Sequence, residues 1–396
     1  MRPPRVSFSL TGSDVPSREP AATAGEPKAA PLSHSVYISS NPAVRGESSS
    51  APLSRVVPIV LDVTSGTAHY TTELVLSNRG GSYVEARLRY EAARGPRTGS
   101  GEVSEPLPAG QLVIPDVISY LREKGLPLPP RSASPVQGGT LVVTFEGASS
   151  PDAVGVTART TTATLAPQPV GAAGLAYSGI DSSTTAANAT VYGLRQDAND
   201  RSNLAVFNLS QSALAVRVTV HSGDGSGRSV VIRDSETIPA LGWIQYNAIL
   251  QGTGISQGWA TVERLSGTAP FSTYGVINDG GTNDGSYVAP VLGDVDGDNL
   301  SVPVLVETPM FSSELVLANR SASSITMTLS YRESSSPGLG SGGTMTLQLA
   351  PRQQRIIPDA VDFLRNSGLK IGPRGDASYV GALRIAVSGT RLANAF

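Results

Sequence analysis

The chain has 396 residues with 42 Gly, 29 Pro and no Cys; 5 % are aromatic, 16 % are charged, and the net charge is −2. Absence of cysteine excludes disulfide scaffolds, Cys-ligated zinc, iron–sulfur clusters and thiol catalysis, and the balanced charge offers no basic surface for nucleic acid. The three His (His34, His69, His221) are far apart in sequence, which argues against a His-based metal or acid–base site, and no apolar run reaches the roughly 18 residues of a membrane-spanning helix.

Residues 1–54 are rich in Pro, Ser, Ala and Gly, with one short apolar patch at Val36-Tyr37-Ile38. Such a composition buries too little apolar surface to offset chain entropy, so a disordered leader is expected. It lacks the apolar stretch of about 7–15 residues that a secretory signal needs. Either the chain is cytosolic, or its true N-terminus lies elsewhere. From Arg55 onward, short runs of Val, Leu, Ile and Thr alternate with Gly/Ser/Pro clusters, the signature of an all-β sandwich or barrel.

These runs repeat. Thr72-Glu73-Leu74-Val75-Leu76-Ser77-Asn78 returns as Ser313-Glu314-Leu315-Val316-Leu317-Ala318-Asn319, and more loosely as Ser202-Asn203-Leu204-Ala205-Val206-Phe207-Asn208. Each is followed by a second alternating strand. Ile114-Pro115-Asp116 matches Ile357-Pro358-Asp359, and both Asp precede an amphipathic stretch. They read as N-caps of short helices ending at Gly125-Leu126 and Gly368-Leu369 in Schellman fashion. In the middle copy this piece shrinks to barely one turn. The next strand then starts at Gly139, Gly258 and Gly381 in the three copies.

The expected fold is therefore all-β: three tandem immunoglobulin-like β-sandwich modules over 55–180, 188–293 and 301–396, with a short helix inserted in the first and third. Leu74, Leu204 and Leu315, with Leu76, Val206 and Leu317, should face the cores. The third copy stops at Phe396 before its closing strands, so truncation is expected, with an open edge and exposed side chains at Leu383, Ile385 or Val387.

The Thr-Glu-Leu-x-Leu-x-Asn strand, the alternating strand after it and the small-residue-rich final strand resemble the tandem β-sandwich modules of secreted bacterial proteins. That resemblance covers about residues 55–396. It implies a spacer, stalk or accessory role, an extracellular or cell-surface location, and no catalytic residues.

Candidate chemistry is sparse. Asp294, Asp296 and Asp298 place three carboxylates at alternate positions, as a calcium loop does, yet Asn299 and Leu305 stand where such a loop needs Gly and Glu. A polar linker between the second and third copies accounts for them equally. Arg374-Gly375-Asp376 is the tripeptide of integrin ligands, but it occupies the loop where the first copy has Arg131-Ser132-Ala133. Asn208 and Asn319 lie in glycosylation sequons, yet they end the repeated strand, where a turn-forming Asn suffices. Both tryptophans, Trp243 and Trp259, fall off the apolar stripe of the middle copy. With Tyr246 they offer a flat platform for a sugar ring or partner; alternatively, each covers a module junction. The leading expectation is a non-enzymatic structural or interaction protein whose partners are other protein domains or surface polysaccharide. The alternative is a carbohydrate-binding accessory region of a larger secreted hydrolase, with the second module as binder.

Overall fold

Alternation decides the local structure: strand Leu214–Ser222 buries every second residue over its whole length, as does Gly101–Leu107 over most of its own. The computed structural model describes residues 53–65, 68–94, 99–164, 172–181, 186–280, 284–293, 299–334, 342–375, 377–389 and 395–396. The expected leader lies outside them, except for Leu53 and Ser54, which open the first strand. Residues 53–181 form β1 (Leu53–Ser65), β2 (Ala68–Asn78), β3 (Val84–Arg94), β4 (Gly101–Leu107), β5 (Gly110–Ile114), α1 (Val117–Glu123), β6 (Val136–Glu146), β7 (Val154–Thr164), β8 (Ala172–Ser178) and β9 (Ile180–Asp181). Residues 188–292 form β10 (Asn188–Arg195), β11 (Asp200–Asn208), β12 (Leu214–Ser222), β13 (Ser229–Ile238), β14 (Trp243–Tyr246), β15 (Gln257–Arg264), β16 (Phe271–Asp279), β17 (Gly285–Val288) and β18 (Val291–Leu292). Then come β19 (Asn299–Glu307), β20 (Leu315–Ala318), β21 (Ile325–Glu333), β22 (Gly342–Leu349), β23 (Gln354–Ile357), α2 (Ala360–Asn366) and β24 (Tyr379–Ser388).

The fold is all-β, with antiparallel sheets and no barrel. One path, β4-β3-β6-β1, recurs as β13-β12-β15-β10 and as β22-β21-β24-β19. Opposite it, β5-β2-β7-β8 recurs as β14-β11-β16-β17, while among the described residues the third segment shows β23 and β20 there. In the first segment the far end of β1 also pairs with β2, so both paths join into one sheet. The six expected core positions are all buried, and three clusters of apolar side chains fill the spaces between facing sheets.

Three devices repeat with the sheets. The first strand of each segment carries the same register shift, between Val57 and Val60, Val191 and Leu194, Val302 and Leu305. Opposite the shift stand Gly139, Gly258 and Gly381. The Asn that ends β2 and β11, and that directly follows β20, is a buried pin. Asn208 Nδ2 donates to Ser212 O (2.6 Å) and Pro239 O (2.9 Å), and its Oδ1 accepts from Ser210 N. Asn319 does the same with Ser323 O, Ala350 O and Ser321 N, and Asn78 with Ser82 O, Leu107 O and Gly80 N. Side-chain amides here satisfy carbonyls that a turn would leave bare.

Asp116 and Asp359 cap α1 and α2, accepting from Ser119 N (3.0 Å) and Asp362 N (3.1 Å). Both helices end as expected: Leu126 N donates to Leu121 O and Leu369 N to Leu364 O, with Gly125 and Gly368 both at φ 96°. Asp116 also bonds Arg131 at 3.0 Å. Asp116→Ala should therefore cost near the top of the about 0.5–2 kcal/mol range for a lost cap. Urea unfolding checks this; a midpoint equal to that of the unaltered chain would show that the cap does not hold the helix.

The expected open edge at Leu383, Ile385 and Val387 is corrected. All three are buried, because β24 is a central strand bonded to β19 on one side and β21 on the other.

Candidate functional site

The two tryptophans singled out by the sequence lie at the contacts between successive segments. Trp259, in β15, is 1 % exposed. It does point away from its own segment's core, as alternation requires, but that outer face is covered. Its ring stacks on His221 of β12 (centroids 5.7 Å apart, 14° between planes) and tilts against Tyr192 of β10 (6.1 Å). Tyr192 in turn stacks on Phe396 (4.5 Å), and Ala318 of β20 closes the cluster. A polar frame surrounds these rings. Arg320 donates to Thr190 Oγ1 (2.8 Å), Gln354 Oε1 accepts from Gly193 N (2.9 Å), and Gln354 N donates to Gly223 O (2.8 Å). Buried Arg195 bridges Asp200 of its own segment (3.1 Å) and Glu314 of the next (2.8 Å).

Trp243, in β14, is half-buried at the other junction. Its Nε1 donates to Tyr274 Oη at 3.2 Å, and Tyr274 stacks on Tyr287 (5.3 Å) and on Tyr177 of β8 (6.5 Å). Phe207 joins them, so the core cluster of residues 53–181 extends into the next segment. Tyr246 belongs to neither junction: it is a core residue, 8 % exposed, with Glu236 at its hydroxyl and Arg233 over its ring. The three rings thus form no common platform. The solvent exposure expected of Trp259 is corrected: its ring is buried at the contact with the next segment, and Tyr246 is buried within its own.

The tyrosines and Phe207 were not singled out from sequence, although a signal was present. Leu204-Ala205-Val206-Phe207 is an unbroken apolar run, and β11 is buried on both faces.

His221 is held neutral. Burial first, then the nearby Arg352 and Arg320, push its pKa down to about 4. Its Nε2 lies 2.9 Å from Thr261 Oγ1. An unfolded chain takes up this proton near its ordinary pKa of 6.5, whereas the folded junction resists it until about 4. The stabilisation is complete above the upper value and is lost as pH falls through that window. Melting temperature measured against pH should fall more steeply across this window for the unaltered chain than for His221→Gln. Parallel profiles would show that His221 is not the group responsible.

A second repeated cluster ties the helices to the sheets. Asp62, buried at the end of β1, accepts from Arg131 (2.9 Å) and lies 3.0 Å from His69 Nε2, with Arg122 3.8 Å away. Glu307 in β19 meets Arg365 and, at 3.9 Å, Arg374, which also bonds Asp359 (3.0 Å). The Arg of the Arg-Gly-Asp tripeptide is therefore committed to the helix cap, as Arg131 is in the first segment; Asp376 lies outside the described residues. Asp294, Asp296 and Asp298 also lie outside them, and among the described residues no three His, Asp or Glu converge on a metal position. A cleft of about 350 Å³ beside Arg195, Asp200 and Glu314 is lined by the charges of the junction itself. Among the described residues no helix is long and apolar enough to cross a membrane. No protein-family model, curated protein or solved structure matches this chain.

Proposed function

We propose that the chain is a non-catalytic structural and interaction protein: three immunoglobulin-like β-sandwich modules in tandem, locked into a stiff spacer that acts outside the cell or at its surface. The observation that carries the reading is the use of both tryptophans. Trp243 bonds Tyr274, which stacks on Tyr177 of the preceding segment, and Trp259 packs on Tyr192, which stacks on Phe396 of the following one. Large aromatic surfaces joined by backbone bonds and a buried ion pair resist bending, whereas a flexible linker would leave successive modules independent.

A sugar-binding accessory region would need its flat rings in solvent, so this arrangement favours the spacer. Spin labels placed in pairs on the first and third modules of the full chain test it. A spacer gives one narrow distance distribution that is unchanged by salt. A broad distribution, or saturable binding of a soluble glycan that Trp259→Ala abolishes, would overturn the reading.

A further inference from the structure

The two contacts between segments are made of different chemistry. Between the first and second, Tyr177, Tyr274 and Tyr287 stack on one another, and Trp243 bonds Tyr274. Burial raises the Tyr177 hydroxyl to about 12 and pushes Tyr287 up as well, so acid changes the charge of neither. At the rim of that contact, the Asp284 carboxylate accepts from Gly174 N at 3.3 Å.

Between the second and third segments stands an imidazole. His221 lies on the outer face of β12, next to the turn that reaches across. There Gly223 O accepts from Gln354 N (2.8 Å), Asp224 pairs with Gln353, and Gly225 N donates to Arg352 O (3.2 Å). The ring lies nearly parallel to Trp259 and is half-buried, so a proton reaches it without unfolding the segment. Arg352 and Arg320 of the third segment are linked, because Arg352 donates to the Arg320 carbonyl. Arg320 in turn donates to Thr190 Oγ1 (2.8 Å), and Thr190 lies opposite Thr261, the hydroxyl partner of His221.

The other groups around the ring do not offset these two guanidiniums. Glu263 of β15 is paired with Arg217 (3.6 Å), and the Asp224 carboxylate accepts from Ser226 N (2.8 Å). Strand β10 contributes Tyr192 and Thr190, and β13 places Ser229 opposite His221. The charges that act on the ring are therefore both cationic, and both belong to the next segment. Opening the contact removes them and returns the ring to water, so protonation favours the open arrangement. Closed, the ring has a pKa of about 4, against an ordinary value of 6.5. Between these values, each unit of falling pH shifts the balance toward opening by up to about tenfold.

We propose that this contact is an acid-released joint: protonation of His221 frees the third segment from the second, while the first two stay locked. The proposal rests on the stiff-spacer reading, since only a joint closed at neutral pH can be released. The competing acid-sensitive group is the Glu314 carboxylate, paired with Arg195 across the same contact.

Spin labels in the full chain test it. Because the chain has no Cys, labels go uniquely onto introduced ones at the exposed positions Ser104, Ser235 and Gln348 of β4, β13 and β22. At about pH 7.5, Ser104→Cys with Ser235→Cys and Ser235→Cys with Gln348→Cys should both give narrow distance distributions; at about pH 4.5 only the second pair should broaden, reversibly. With His221→Gln, uncharged at either pH, the second pair should stay narrow. Should that variant fail to fold, the imidazole resonances of the unaltered chain serve instead: one should titrate well below 6.5, together with the broadening. A second pair that stays narrow in acid would overturn the proposal. So would broadening that persists in His221→Gln, which would assign release to Glu314, or broadening of both pairs alike. A second pair already broad at neutral pH would refute the stiff spacer, and the joint with it.

Discussion

Gly258→Ala is expected to cost at least about 3 kcal/mol, within the range reserved for strained or overpacked sites. A Cβ there would lie 1.8 Å from the His221 carbonyl oxygen and 2.9 Å from Gly223 N, both backbone atoms that cannot rotate away. The cause is the register shift in β10. The one extra residue between Val191 and Leu194, where Tyr192 and Gly193 stand against Trp259 alone, bends the strand and draws β15 onto β12. The other two segments have the same geometry: a Cβ on Gly139 would lie 2.1 Å from Glu91 O, and one on Gly381 would lie 2.5 Å from Arg332 O. Ala at either should also destabilise the fold, by less as the gap widens. Gly81, with open space around its Cβ position, supplies the control and should change by no more than about 1 kcal/mol. Urea unfolding of the four variants checks this. A Gly258→Ala chain as stable as the Gly81→Ala chain would show that the strands part easily and that the bulge is not a tight joint.

Those glycines show what a sequence can and cannot carry. Gly139, Gly258 and Gly381 mark the head of the same strand in three copies, so their position is legible as punctuation. Their reason is not, because the carbonyl they must clear belongs to a strand about 40–50 residues away, and pairing order is invisible to alternation. The caps at Asp116 and Asp359 are legible for the opposite reason: the backbone N–H that each accepts lies three residues on, and the helix stop within ten.

Trp259 falls between these cases. Alternation assigns it to the outer face of β15 correctly, but two faces are all that alternation distinguishes, and the outer one was read as solvent. What covers it is the following segment, and the warning sign was that its counterparts Thr140 and Ala382 are small. The open edge was misplaced by the same limit. Among the described residues, β20 in the facing sheet of the third segment has a partner strand on one side only, while β24 has one on each side.

Trp259→Ala should be the most damaging side-chain truncation outside the individual cores, costing about 3–5 kcal/mol. Trp259 backs Tyr192, which stacks on Phe396; it also clusters with Ala318 of the next segment and covers His221. Removing it leaves the sheet ladders intact, so the loss should fall on the coupling between residues 186–293 and 299–396. Calorimetry should then resolve a transition that is merged with the others in the unaltered chain. Trp243→Ala should cost less, since Trp243 is half-exposed and Tyr177, Tyr274 and Tyr287 stack without it. Trp259→Phe should retain most of the coupling, because a smaller ring still faces Tyr192. The same truncation should alter the response to pH. With the indole gone, water reaches His221, its pKa rises from about 4 toward 6.5, and the acid-dependent loss of stability shrinks. A Trp259→Ala chain that melts in one step at the original temperature, with its pH profile unchanged, would show that the backbone bonds of Gln354 and the Arg195–Glu314 pair carry the junction without the rings.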